Sequence, residues 1–123
     1  MTIRIWKTAT FEAAHFLPGD VQEKFRTMHG HSFLVTATIT GGPSEEGKVL
    51  DLAFFGAKLS AVVGMLDHCV INERHPEINP PTLERIAEWI ATVLGKTMPD
   101  AVTLLSVNVE RPTCGEGAEW IAP

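Results

Sequence analysis

The chain has 123 residues, 45% of them hydrophobic, and a formal net charge of -5, which is apolar matter enough for one core and excludes wholesale disorder. Ten basic residues against fifteen acidic ones, with no basic cluster, leave no footprint for nucleic acid. No apolar run approaches the roughly 18 residues of a membrane span, and the chain opens on an alternating pattern instead of a charged and then apolar leader, so a single cytoplasmic domain over residues 1–123 is expected.

In chain order, the first predicted strand carries Ile3, Ile5, Ala9, Phe11, Ala13 and His15 on one face and Arg4, Thr8, Thr10 and Glu12 on the other, the period-two pattern of a half-buried strand. Pro18-Gly19-Asp20 marks a turn, and residues 18 to 28 read as a loop. From His29 to Ile39 the pattern returns: His29, His31, Phe33, Val35, Ala37 and Ile39 share the apolar face, while Ser32, Thr36, Thr38 and Thr40 lie on the other. Gly41-Gly42-Pro43 ends that strand. Three imidazoles therefore extend the inward faces of two neighbouring strands. Three neutral nitrogen ligands with a fourth position left open are what a catalytic zinc requires, which makes His15, His29 and His31 the candidate Zn2+ ligands. Three ordinary hydrogen-bonded histidines are the alternative. A cupin-type site also begins from H-x-H, but it wants a glutamate four or five residues further on, where Val35 and Thr36 stand.

After a polar loop at Ser44 to Gly47 and a short extended piece from Lys48 to Leu52, the positions Leu52, Phe55, Leu59, Val62, Val63 and Leu66 follow helical spacing, with Gly56 and Gly64 as weak points. A loop from Asn72 to Pro81 follows. Thr82 then suits an N-cap, Glu84 suits the first helical turn, and Leu83, Ile86, Ile90, Val93 and Leu94 form a stripe that Gly95 closes. Val102 to Glu110 alternates as a strand, and a turn from Pro112 to Gly117 leads to a short last strand around Ala118 to Ile121. The order ββααββ gives an α+β sheet with helices on one face. Its other face needs cover, and self-association is the expected way to supply it.

Several further groups could carry chemistry. Asp67 beside His68 is a candidate acid–base unit, because a carboxylate can fix an imidazole's tautomer and raise its basicity; adjacent side chains on a strand would diverge, and the pair also reads as surface decoration. Glu110, at a strand end, could accept two parallel hydrogen bonds from an amidine-like heterocycle, or stand exposed. Asp51 and Thr82 also read as a turn residue and a helix cap. Cys69 and Cys114 are too few for a disulfide framework and read as small buried hydrophobes unless their thiolates are favoured. His75, in His-Pro, reads as a loop residue.

F-E-A-A-H at Phe11 to His15, H-G-H-S-F at His29 to Phe33, V-L-D-L at Val49 to Leu52, L-D-H-C-V-I-N at Leu66 to Asn72, P-T-L-E at Pro81 to Glu84 and E-R-P-T at Glu110 to Thr113 together resemble one family in its own order, over nearly the whole chain. It is that of the 6-pyruvoyltetrahydropterin synthases and the 6-carboxytetrahydropterin synthases of the queuosine pathway. The resemblance implies the tunnelling fold, a four-stranded antiparallel sheet with two helices on one face, assembled as a homohexamer from two trimers. It implies zinc on His15, His29 and His31, a pterin ring anchored by Glu110 with Thr82 in the substrate site, and a Cys-Asp-His relay to which Asp67 and His68 belong. The implied substrate is 7,8-dihydroneopterin triphosphate, with acetaldehyde released in the queuosine branch. Beside the metal loop, Lys24 and Arg26 are candidates for the triphosphate, with ordinary solvated loop charges as the alternative reading.

One position departs from the family pattern. The relay cysteine belongs four residues before His29, where this chain has Phe25. Glu23 is near but two positions early, and Cys69 could substitute only in space. Two expectations follow: a pterin-side-chain lyase with an altered base, or a pterin-binding homologue without the ordinary reaction.

Overall fold

A computed structural model describes residues 2–19 and 21–123; Asp20, placed in a turn by the sequence, lies outside the described residues. The two alternating segments form long strands, β1 (Ile3–His15) and β2 (His29–Gly41), with a four-residue helix, α1 (Glu23–Arg26), in the expected loop between them. They pair antiparallel from Ile3 opposite Gly41 to His15 opposite His29. A slip of one residue would turn every side chain of β2 to the wrong face. Burial of Phe11, Phe33, Val35, Ala37 and Ile39 therefore holds the register.

Helix α2 (Leu52–Gly64) begins where the Asp51 carboxylate accepts the Phe54 N–H. Val49 and Leu50 form bends, not part of the expected extended piece, because the chain is already turning into that cap. Gly56 is where α2 crosses β1: a Cβ there would come within 2.5 Å of Lys7 Cε. Next come a two-residue strand, β3 (Cys69–Val70), the short helix α3 (Ile71–Arg74), and α4 (Leu83–Gly95), capped by the Thr82 hydroxyl on the Arg85 N–H. Strand β4 (Thr103–Arg111), a 3-10 turn at Pro112–Cys114 and β5 (Glu116–Ile121) complete the chain.

The sheet has five strands, in the order β3-β1-β2-β4-β5, where four were expected. The extra strand pairs parallel to β1 over two residues, Cys69 beside Ala13 and Val70 beside Ala14. The four long strands are antiparallel, as the family resemblance implies. Helices α2 and α4 bury Phe55, Leu59, Ile86 and Ile90 against the inward side chains of β1, β2 and β4, where Phe11 and Phe33 stack with centroids 4.6 Å apart. On the uncovered face Trp6 is 63% and Ile121 70% exposed.

His75 lies in the loop, as read from the sequence. It caps the end of α3 and is buried, with Nε2 donating to the Met65 carbonyl at 2.7 Å and its ring against the edge of Trp89. The loop is held by that imidazole.

Candidate functional site

Register assembles the histidines. His15 stands opposite His29, and His31 opposite Ala13, so strand alternation turns all three rings to one face at one end of the sheet. The ring centroids lie 4.6 Å (His15–His29), 4.9 Å (His29–His31) and 5.3 Å (His15–His31) apart. One nitrogen from each lies within 4.8 Å of the others, a spacing that could hold a metal ion.

The backbone prepares these rings. His15 Nδ1 donates to the Pro81 carbonyl at 2.8 Å, and His29 Nδ1 to the Thr27 carbonyl at 2.8 Å. A carbonyl only accepts, so each ring carries its proton on Nδ1 and presents a lone pair at Nε2. Among the described residues neither Nε2 atom, both of them buried, has a partner, whereas buried polar atoms normally find one. Burial lowers the His15 pKa to about 4. Burial, then the Arg111 guanidinium, lower that of His31. Near neutral pH both are therefore unprotonated, the form a metal needs. Asn72 closes on the backbone behind His15, accepting the Phe16 N–H at 3.0 Å and donating to the Phe16 carbonyl at 2.9 Å.

Asp67 and His68 do meet. Asp67 accepts the Glu12 N–H at 2.8 Å through one oxygen and lies 2.8 Å from His68 Nδ1 through the other. The Glu12 N–H first, and His68 second, hold its carboxyl below the ordinary carboxylate range. His68 has φ 55°, a left-handed conformation that strand geometry does not offer and that favours glycine. That turn lets adjacent side chains touch. His68 and His31 line one open depression of about 430 Å3, together with Glu12, Ala13, Gly30 and Cys69.

Other candidates fall elsewhere. Alternation sends Glu110 off the opposite face of β4 from Arg111, across from Gly117, apart from that depression. Thr82 caps α4 immediately after the carbonyl that orients His15. Phe25 sits beside the triad, its ring centroid 6.1 Å from that of His29, with Lys24 Nζ over the ring 4.9 Å from its centroid. Glu23 and Arg26 are exposed. Cys69 donates to the Leu66 carbonyl at 3.2 Å, and burial raises its pKa, so its proton is held.

Sequence reasoning missed Arg111, and read Cys114 as a small buried hydrophobe where the structure leaves it exposed. Arg111 Nη1 is 3.3 Å from His31 Nε2, and Cys114 Sγ is 3.9 Å from His31 Nδ1. The signal was present: Arg111 continues the inward face of Val107 and Val109, whereas E-R-P-T was read for its glutamate alone.

The family pattern described as 6-pyruvoyl tetrahydropterin synthase matches residues 4–121. A 6-carboxy-5,6,7,8-tetrahydropterin synthase of Synechocystis is 35% identical, over 97% of this chain and 93% of its own. A dihydroneopterin monophosphate aldolase of Pyrococcus furiosus is 31% identical, over 98% of this chain and 100% of its own. Among solved structures, the 6-pyruvoyl tetrahydropterin synthase of Caenorhabditis elegans superimposes with a TM-score of 0.82 at 19% identity, covering 100% of this chain and 97% of that one. At that identity the likeness is one of fold.

Proposed function

The chain belongs to the 6-pyruvoyl tetrahydropterin synthase family and has its tunnelling fold, and from that premise we propose that it is a zinc-dependent pterin enzyme. Its reaction is that of a side-chain lyase of the 6-carboxytetrahydropterin synthase type, serving queuosine biosynthesis, on 7,8-dihydroneopterin triphosphate or a related pterin. The relatives named for 6-carboxy-tetrahydropterin synthesis and for a dihydroneopterin monophosphate aldolase support the pterin class.

The observation that carries the reading is the pair of buried, unpartnered Nε2 atoms on His15 and His29, within a cluster that His31 completes. Burying an unsatisfied nitrogen costs about 1–3 kcal/mol, a cost removed when an ion takes the lone pair. His15, His29 and His31 hold the zinc, with the carbonyls of Pro81 and Thr27 orienting the first two rings. Zinc, when bound, polarises a hydroxyl or carbonyl oxygen of the pterin side chain and lowers the pKa of the proton beside it.

Asp67 keeps the His68 proton on Nδ1, which leaves His68 Nε2 as the base in the depression that it shares with His31. With Phe25 in the cysteine's place, proton transfer rests on this pair. The family resemblance gives Glu110 the amidine edge of the ring, through two hydrogen bonds, a role that asks the carboxylate to reach the ring from outside the depression of its own chain. The Thr82 hydroxyl, whose oxygen already accepts the Arg85 N–H, keeps its own proton to donate. A homohexamer of two trimers covers the exposed Trp6 and Ile121 face.

The test is incubation of zinc-loaded protein with 7,8-dihydroneopterin triphosphate, and in parallel with dihydroneopterin monophosphate, following products by mass. The expected outcome is a pterin with a shortened side chain. Saturable pterin binding with no turnover of either compound would defeat the reading.

A further inference from the structure

Arg111 arrives beside the triad with its guanidinium only partly engaged. Nη1 is 3.3 Å from His31 Nε2, Nη2 is 3.3 Å from a Glu116 oxygen with the arginine side chain 12% exposed, and Nε is buried without a partner. A guanidinium has five N–H donors and no acceptor, so at the His31 contact the imidazole must supply the lone pair. His31 then has its proton on Nδ1, toward Cys114. All three histidines thus share one tautomer, and Arg111 stands on the Nε2 lone pair of the third. Donation from Arg111 and ligation by His31 Nε2 compete for the same electrons.

We propose that Arg111 is the oxyanion-binding and specificity residue of this centre: a cation at His31 displaces its Nη1, and the released N–H, with the second N–H of Nη2 on the same edge of the guanidinium, then takes a phosphate or carboxylate group beside the ion. The assignment rests on the metal reading above. A planar guanidinium matches two oxygens of such a group through parallel hydrogen bonds. A cation beside a guanidinium is a repulsive pair, and an anion between the two makes the arrangement attractive. The centre therefore favours anionic over neutral ligands, on a chain whose net charge of -5 would otherwise repel them. Glu116 holds the guanidinium in place and offsets part of its charge.

Zinc affinity, read by competition with a chromophoric chelator, tests the first half. Arg111→Met should bind zinc about tenfold tighter, having lost both a competitor and a like charge, whereas Glu116→Gln, which unmasks that charge, should bind it more weakly. Inorganic phosphate titrated onto the Co2+-loaded protein, read from the visible spectrum, tests the second. Its affinity should fall about tenfold or more in Arg111→Met and less in Arg111→Lys, which keeps the charge without the fork. Zinc bound no tighter by Arg111→Met, or phosphate bound as tightly as by wild type, overturns the assignment and leaves the metal centre standing. If Arg111→Met fails to fold, zinc bound equally or more tightly by Glu116→Gln overturns it. Wild-type protein that takes up no zinc overturns both readings.

Discussion

His15, at the end of β1, and His75, behind α3, are both buried, 1% and 8% exposed, yet their ring nitrogens are used differently. His75 has a protein neighbour at each: Nε2 donates to the Met65 carbonyl at 2.7 Å and Nδ1 lies 3.5 Å from a Glu77 oxygen, with Trp89 against the ring. His15 spends Nδ1 on Pro81 and leaves Nε2 with nothing. Burial alone does not mark a ligand. An unspent nitrogen facing other unspent nitrogens does, because folding has left a cost that only an outside group can remove.

The sharpest way to break this comparison is to remove each ring in turn. His15→Ala should take zinc from about one ion per chain to none, and His75→Ala should leave it unchanged, as measured by elemental analysis of untagged protein. Equal metal loss in both would erase the distinction.

Acid comes next. In chelator-treated protein, the His15 pKa is about 4 against 6.5 in the ordinary case, so above pH 6.5 neither folded nor unfolded chain carries its proton. As pH falls from 6.5 to 4, the unfolded chain takes up a proton that the folded one refuses. Stability is therefore lost across that window, by about 3 kcal/mol at 1.36 kcal/mol per unit. Urea titrations at several pH values should show this slope in wild type and a shallower one in His15→Asn.

His75→Gln should cost about 1–3 kcal/mol through the stranded Met65 carbonyl, seen in thermal unfolding without change in zinc content. Asp67→Asn should lower turnover about 10- to 100-fold by releasing the His68 ring, again with full zinc; a metal loss there would mean that the Asp67–His68 pair and the histidine triad are not separate devices. Thr82→Ala, which removes only the helix cap, should cost about 1 kcal/mol in the same thermal assay.

Much of this arrangement is legible from period alone. The odd-numbered run through Phe11, Ala13 and His15, matched by His29, His31 and Phe33, brings three imidazoles to one face because side-chain direction in a strand is fixed by position. The stripe from Leu83 to Leu94 likewise places α4 on the sheet. What escaped was either too short to show a period or dependent on distant partners. Two residues, Cys69 and Val70, cannot display alternation, and β3 exists because β1 offers an edge. His75 is buried by Trp89, on another helix. The Asp67–His68 contact needed a backbone conformation that no residue type there announces.

The hydrogen bond from His15 to Pro81 joins positions 66 apart in sequence, ending at the residue just before the N-cap of α4. An ion seated on His15 would therefore fasten the tip of the sheet to the first turn of that helix, closing a long stretch of chain into a ring. Amides at the start of α4, far from any metal-binding side chain in sequence, should exchange with solvent more slowly once the ion is in place.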